Sequence, residues 1–230
     1  MVKGTKASIV SKALEQISFK DRVCVAEITA DLDNSMDWIC RTSFPNARKT
    51  ADRFHVQKIV AEAMQEVRIA YRREAIKEEN TGVTERYHNG DSKKQLLARS
   101  RYLLFKQQKK WTISQKERAS ILFSEYPSIK KAYDCYIELR EIYEKSKTRL
   151  EAEDRMNIWL KAARRSDLDS ISSSADTIEC NLGKILNYFE KRETNASAEG
   201  FNAKLKRFRG MLRGVNDLDF FLFRVSKLYA

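Results

Sequence analysis

Three acidic residues stand where a carboxylate could do chemistry. Asp31 closes a short β-branched stretch, Asp52 follows a second one, and Glu199 shares a helical face with Asn202 and Lys206 at i, i+3 and i+7. Carboxylates from neighbouring strand ends and a facing helix are the donor set of a two-metal phosphoryl-transfer site. Hard Mg²⁺ takes oxygen ligands, and two ions about 3.5–4 Å apart can stabilise both attacking and leaving oxygens. The same positions have plainer uses: Asp31 as a helix cap, Asp52 as a turn residue, Glu199 as half of a surface ion pair. Spacing alone leaves both readings open.

The elements that would position these residues change character near residue 57. Before it the pattern is α/β: a helix over Ala7 to Ile17, a buried strand over Arg22 to Ala30, a helix carrying Met36, Trp38 and Ile39, and a second strand over Ala47 to Ala51. The turn Asp31–Leu32–Asp33–Asn34 can start the middle helix, and Phe44–Pro45–Asn46 closes it. Beyond residue 57 the helical period takes over. Ile59, Ala63, Val67 and Ala70 mark one helix, Leu96 to Leu104 another, and Ile129, Ala132, Tyr133, Tyr136, Leu139 and Tyr143 an apolar stripe. Further helices are predicted around Trp159 and from Ile178 to Phe189, with loops at 79–82, 88–92, 126–127 and 169–174. Trp111, Tyr133, Tyr136, Tyr143 and Trp159 read as core by spacing. In the last segment Phe201, Leu205, Phe208 and Leu212 share one apolar face, and the Glu199 stripe lines a different one.

Composition bounds the rest. Hydrophobic residues make up 42% and charged residues 33%, with two prolines and seven glycines, which fits a folded, helix-rich chain. No apolar run approaches a membrane span and Met1 to Lys12 lack the apolar region of a signal peptide, so the expected location is cytoplasmic. Cys24, Cys40, Cys135 and Cys180 form no CxxC pair and read as reduced core thiols; two histidines exclude a His-rich metal site. Forty-four basic against 32 acidic residues give a net charge of +12, which favours a polyanionic partner through counterion release. Two basic clusters stand out: twelve Lys or Arg against five acids from Arg68 to Lys110, and Lys204, Lys206, Arg207, Arg209 and Arg213 just beyond Glu199.

The wording of the chain carries a resemblance. Ile28–Thr29–Ala30–Asp31, Phe44–Pro45–Asn46–Ala47, and Ala51–Asp52–Arg53–Phe54–His55–Val56–Gln57–Lys58 resemble the transposases of the ISL3 insertion-sequence family, DDE-type enzymes distantly related to the Mutator-like group. Downstream, Arg101 to Leu104, Trp159–Leu160, Thr194–Asn195 and Glu199–Gly200–Phe201–Asn202–Ala203–Lys204–Leu205–Lys206 match in the same order, over nearly the whole chain. The combination is specific, though each fragment alone is weak.

The resemblance implies an RNase H-like α/β core (residues 1–57), a large all-α insertion (58–190) and C-terminal helices completing the core (191–230), mostly helical overall. It implies that Asp31 and Glu199 are catalytic metal ligands for Mg²⁺ or Mn²⁺, Asp31 as second aspartate and Glu199 as terminal glutamate. Asp52 and His55 form the family's D-x-x-H pair, with Asp52 an alternative for the second aspartate. Asn202, Lys204, Lys206, Arg207 and Arg209 would hold DNA phosphates, with element ends and target DNA as partners and a homo-oligomer allowed in the active complex. The implied reaction is phosphodiester cleavage followed by strand transfer. Residues 1–20 contain no Asp that could serve as the first aspartate, so the expectation is an N-terminally truncated transposase, inactive alone. The rival expectations are a non-catalytic DNA-binding or regulatory transposase fragment, and a purely structural helical protein.

Overall fold

The computed structural model describes residues 6–82, 85–192, 196–212 and 217–229. It is mostly helical with one two-stranded sheet, and the chain divides into two compact units, residues 1–52 with 191–230, and residues 53–190. Among the described residues no helix is long and apolar enough to cross a membrane.

The first unit begins with α1 (Ala7–Leu14) and the short α2 (Phe19–Val23), followed by β1 (Glu27–Ala30), α3 (Asn34–Ser43) and β2 (Arg48–Ala51). The pattern from Arg22 to Ala30 reads as strand throughout. Its first part is instead the end of α2, because Ser18 caps that helix, its hydroxyl accepting from the Asp21 amide at 3.2 Å. Asp33, not Asp31, caps α3, accepting from the amides of Ser35 (2.8 Å) and Met36 (3.1 Å). β1 and β2 run parallel with α3 as the crossover, in the register Glu27–Arg48 to Ala30–Ala51. The Phe44–Pro45–Asn46 turn is pinned to the preceding segment: Asn46 Nδ2 donates to the Val23 carbonyl at 3.1 Å, and Arg22 donates to the Ser43 carbonyl at 3.0 Å. Beneath it Glu27 is nearly buried and accepts from Thr50 (2.6 Å), Lys191 (3.2 Å) and Arg48 (3.3 Å). Burial disfavours its charge, but the Thr50, Lys191 and Arg48 hydrogen bonds outweigh that and hold the carboxyl below its usual range.

The second unit is all helix: α4 (Arg53–Asn80), α5 (Lys93–Arg99), α6 (Ile113–Glu125), α7 (Pro127–Lys145), α8 (Arg149–Arg164), α9 (Asp169–Cys180), and the short α10 (Leu182–Leu186) and α11 (Tyr188–Lys191), whose last residue falls in the first unit. α4 is its spine, 28 residues or about 42 Å long, and it packs against α5, α7 and α9, while α7 also meets α6 and α8. Ser92 and Thr112 start α5 and α6 with capping boxes, and Pro127 sits in the first turn of α7, where a missing N–H costs nothing. The α7 stripe is buried as its spacing predicts, with Ile129, Ala132, Tyr133, Tyr136, Leu139 and Tyr143 all in the core. Trp159 is buried and its indole N–H donates to the Cys135 carbonyl at 2.8 Å.

Three expectations fail here. The helix read over Leu96 to Leu104 ends at Arg99, and Leu103–Phe105 is a separate 3₁₀ turn. Residues 169–174 are helix, not loop: Ile171, Ala175 and Ile178 bury one face of α9, and the serines bond to backbone carbonyls, Ser170 to Ala63 and Ser174 to Ser170. Cys40 and Cys135 are core thiols, but Cys24 and Cys180 are exposed; none of the four is in a disulfide.

In the first unit, α12 (Ala196–Met211) and α13 (Leu218–Tyr229) complete the chain. Phe201 meets Tyr229 edge-on at 5.4 Å and Phe208 stacks on Phe221 at 6.0 Å, so the apolar face of α12 faces α13.

Candidate metal site

Parallel register decides where the first two carboxylates go. Ala30 and Ala51 are the last paired residues, so Asp31 and Asp52 leave the sheet at the same end of adjacent strands. The Asp52 amide donates to the Ala30 carbonyl at 2.9 Å, carrying the ladder one step past the strands. Asp52 is 3% exposed and α4 begins at the next residue. His55 follows three residues later, in the first turn of α4, its ring edge-on to Phe54. One ligand atom from each of Asp31, Asp52 and His55 lies within 4.8 Å of the others, with Asp31 and His55 partly exposed.

The donor set suits a divalent cation. Two carboxylates at a common strand end satisfy the oxygen preference of Mg²⁺, and an imidazole beside them suits Mn²⁺ better.

Glu199 is exposed on α12 and lies outside that three-residue group. Asn202, Lys204, Lys206, Arg207 and Arg209 are likewise exposed on α12. Arg213, Thr194 and Asn195 lie outside the described residues. Within the region 68–110 much of the positive charge is spent internally: Lys93 pairs with Glu78 (3.1 Å), Lys94 with Glu79 (2.6 Å), Arg86 donates to the Gly90 carbonyl, and Arg99 pairs with Asp91.

Asp91, which no sequence pattern marks, is a fully buried charge. Arg99 and Arg118 (2.8 Å) both donate to its carboxylate. Burial would raise its pKa, but the hydrogen bonds and charges of Arg118 and Arg99 hold it below the carboxylate range. Its partners are 8 and 27 residues away on α5 and α6, a constellation no local pattern displays.

Chain-wide comparison agrees with the motifs. A family model described as a transposase, of the DDE ISL3 type, matches residues 1–225. The chain therefore belongs to the ISL3-type transposase family. No curated protein and no solved structure matches it.

Proposed function

We propose that this transposase chain contributes a divalent-metal phosphoryl-transfer site to DNA transposition, with Asp31 and Asp52 as ligands at the strand ends and His55 as a flanking ligand. The observation that supports this is the meeting of the three residues at one end of the parallel strand pair in a member of this family. A bound Mg²⁺ or Mn²⁺ would supply Lewis-acid activation of water or a 3′-hydroxyl and neutralise charge on the phosphoryl oxygens. The residues then divide the work. Asp52, held by the ladder and by burial, is the rigid ligand; Asp31, partly exposed, faces incoming substrate. Glu199 is the terminal acidic member carried by α12, and Asn202, Lys204, Lys206, Arg207 and Arg209 hold backbone phosphates beside it as sequence-independent contacts. In evolutionary terms, residues 58–190 form an all-α insertion into an RNase H-like core made by 1–57 and 191–230. The partners are element ends and target DNA, met in the cytoplasm.

The test is Mn²⁺ binding followed by electron paramagnetic resonance, with nicking of an element-end duplex as second readout. Wild type should bind Mn²⁺, and Asp31→Asn or Asp52→Asn should weaken binding at least tenfold with folding unchanged. Mn²⁺ affinity identical in wild type and both variants would overturn the assignment. One observation favours a second reading, a non-catalytic DNA-binding transposase fragment: Glu199 stands exposed, outside the three-residue group. DNA binding without metal-dependent nicking supports that reading.

A further inference from the structure

The helical unit gathers three arginines with no acid among them. Arg68 on α4 is 5% exposed, and its guanidinium is fixed by two neutral acceptors: Nε donates to Gln65 Oε1 at 2.7 Å and Nη1 to the Leu97 carbonyl at 2.8 Å. Arg72 lies one turn further along α4, and its Nε is buried without a hydrogen-bond partner. Arg101 follows α5; its guanidinium lies 5.4 Å over the Tyr102 ring, and its carbonyl accepts from Gln65 at 3.4 Å. Among the described residues no carboxylate pairs with any of the three, although most other arginines whose guanidinium contacts are known in this unit, such as Arg99, Arg118, Arg149 and Arg164, have one. Burial, and then the charges of Arg72 and Arg101, push the Arg68 guanidinium down to about 10.

Such an arrangement is costly in an isolated protein. Like charges at i and i+4 repel on a helix, a buried cation without an anion keeps its desolvation cost, and an unpaired buried N–H forfeits a hydrogen bond. An external anion with several acceptor oxygens, seated against the exposed edge of the cluster, would offset the repulsion and part of the desolvation cost. Planar guanidinium groups match phosphate oxygens better than they match any spherical anion. Arg68 is preset by Gln65 and Leu97, while Arg101 is exposed.

We propose that Arg68, Arg72 and Arg101 form an anion site on the helical unit that takes a backbone phosphate of DNA. The choice of DNA as the source of phosphate rests on the transposase reading above; the site itself is independent of Asp31, Asp52 and His55.

The test is binding of the purified chain to a short fluorescent duplex by anisotropy across a salt series, in EDTA so that metal ligation plays no part. Arg72→Gln and Arg101→Gln should each weaken binding several-fold, and each should reduce the slope of log K against log salt by about one, the value for one lost phosphate contact. Arg72→Lys should keep the slope while losing affinity, and Lys161→Gln, an exposed cation on α8, should change neither by as much. Circular dichroism and thermal midpoints establish that the variants are folded. Unchanged affinity and slope in both glutamine variants would refute the site, the more so if Arg72→Gln raises the midpoint by relieving repulsion. If inorganic phosphate stabilises wild type and not Arg72→Gln while DNA binding is unaffected, the site takes free phosphate and the DNA assignment fails. Loss of Mn²⁺ binding at the strand ends with this salt response intact would separate failure of the metal site from failure of this one.

Discussion

Replacing Asp91 by Asn should be among the most damaging single-atom changes in the helical unit. The loop that delivers Asp91 is built for it. Gly90 adopts φ +81, its amide bonds to the Tyr87 carbonyl at 2.8 Å, and the Tyr87 amide returns to the Asp91 carbonyl at 2.9 Å. Asn89 adds a side-chain contact to the carboxylate at 3.3 Å. The carboxylate thus accepts from Arg99, Arg118 and Asn89 with no exposure of its own. Of the two arginines Arg118 matters more, because its side chain is 17% exposed against 56% for Arg99. An exposed pair contributes on the order of 0–1 kcal/mol, whereas removing one member of a buried pair costs about 3–5 kcal/mol. Asn keeps the shape and one acceptor but turns an NH₂ toward an arginine donor, so a loss of about 3 kcal/mol is expected at pH 7. With a urea m-value of about 2 kcal/mol per M, the midpoint should fall by about 1.5 M at unchanged m.

The pH dependence gives an independent check on the cause. The folded carboxyl of Asp91 titrates below its unfolded value, so the stability it contributes is complete above the unfolded value of about 3.9 and is lost as pH falls through the folded one. The gap between wild type and Asp91→Asn should therefore stay constant from pH 7 to about 5 and close progressively below about 4. The double variant with Arg118→Met should be less destabilised than the sum of the two single variants, because it leaves no lone buried charge. A urea midpoint that moves by less than about 0.5 M, or a gap that does not depend on pH, would refute the picture of a buried charge hub.

Other outcomes follow from single contacts. Gly90→Ala should cost about 1 kcal/mol in urea unfolding, because a β-carbon at φ +81 is strained even though nothing crowds it. Trp159→Phe should cost about 1–3 kcal/mol by removing the buried indole's hydrogen bond to the Cys135 carbonyl and part of its packing, read as a lower thermal midpoint at unchanged helix content. In native protein at neutral pH, a thiol reagent followed by mass spectrometry should label Cys24 and Cys180 quickly and spare Cys40 and Cys135. Cys135 should be the slowest, since burial and then the charges of Glu138 and Asp134 push its thiol up to about 11.

What could be read from the chain follows a physical division. The strand–helix–strand order, the α7 stripe and the positions of Asp31 and Asp52 rest on local periodicity and on the rule that parallel strands end together, and these are properties of short segments. Short helices escaped because one capping contact decides them: Ser18 made α2 where a strand pattern was visible, and a serine-rich stretch hid the buried face of α9. Charge is the harder case. The twelve cations between Arg68 and Lys110 look alike in sequence, and only their partners sort them. Lys93, Lys94 and Arg99 found carboxylates across α4, α5 and the Arg86–Ser92 bridge, whereas Arg68, Arg72 and Arg101 found only one another and neutral acceptors. A count of basic residues therefore measures the capacity to bind a polyanion, and the unspent cations show where that capacity lies. By that criterion the exposed cations Lys204, Lys206, Arg207 and Arg209 and the arginine cluster are the two places proposed for phosphate, the first spread over a solvent-facing helix and the second preset in part by burial. The cluster should therefore bind with the smaller entropic cost, and its loss should be felt more per charge removed than loss of any one lysine on α12.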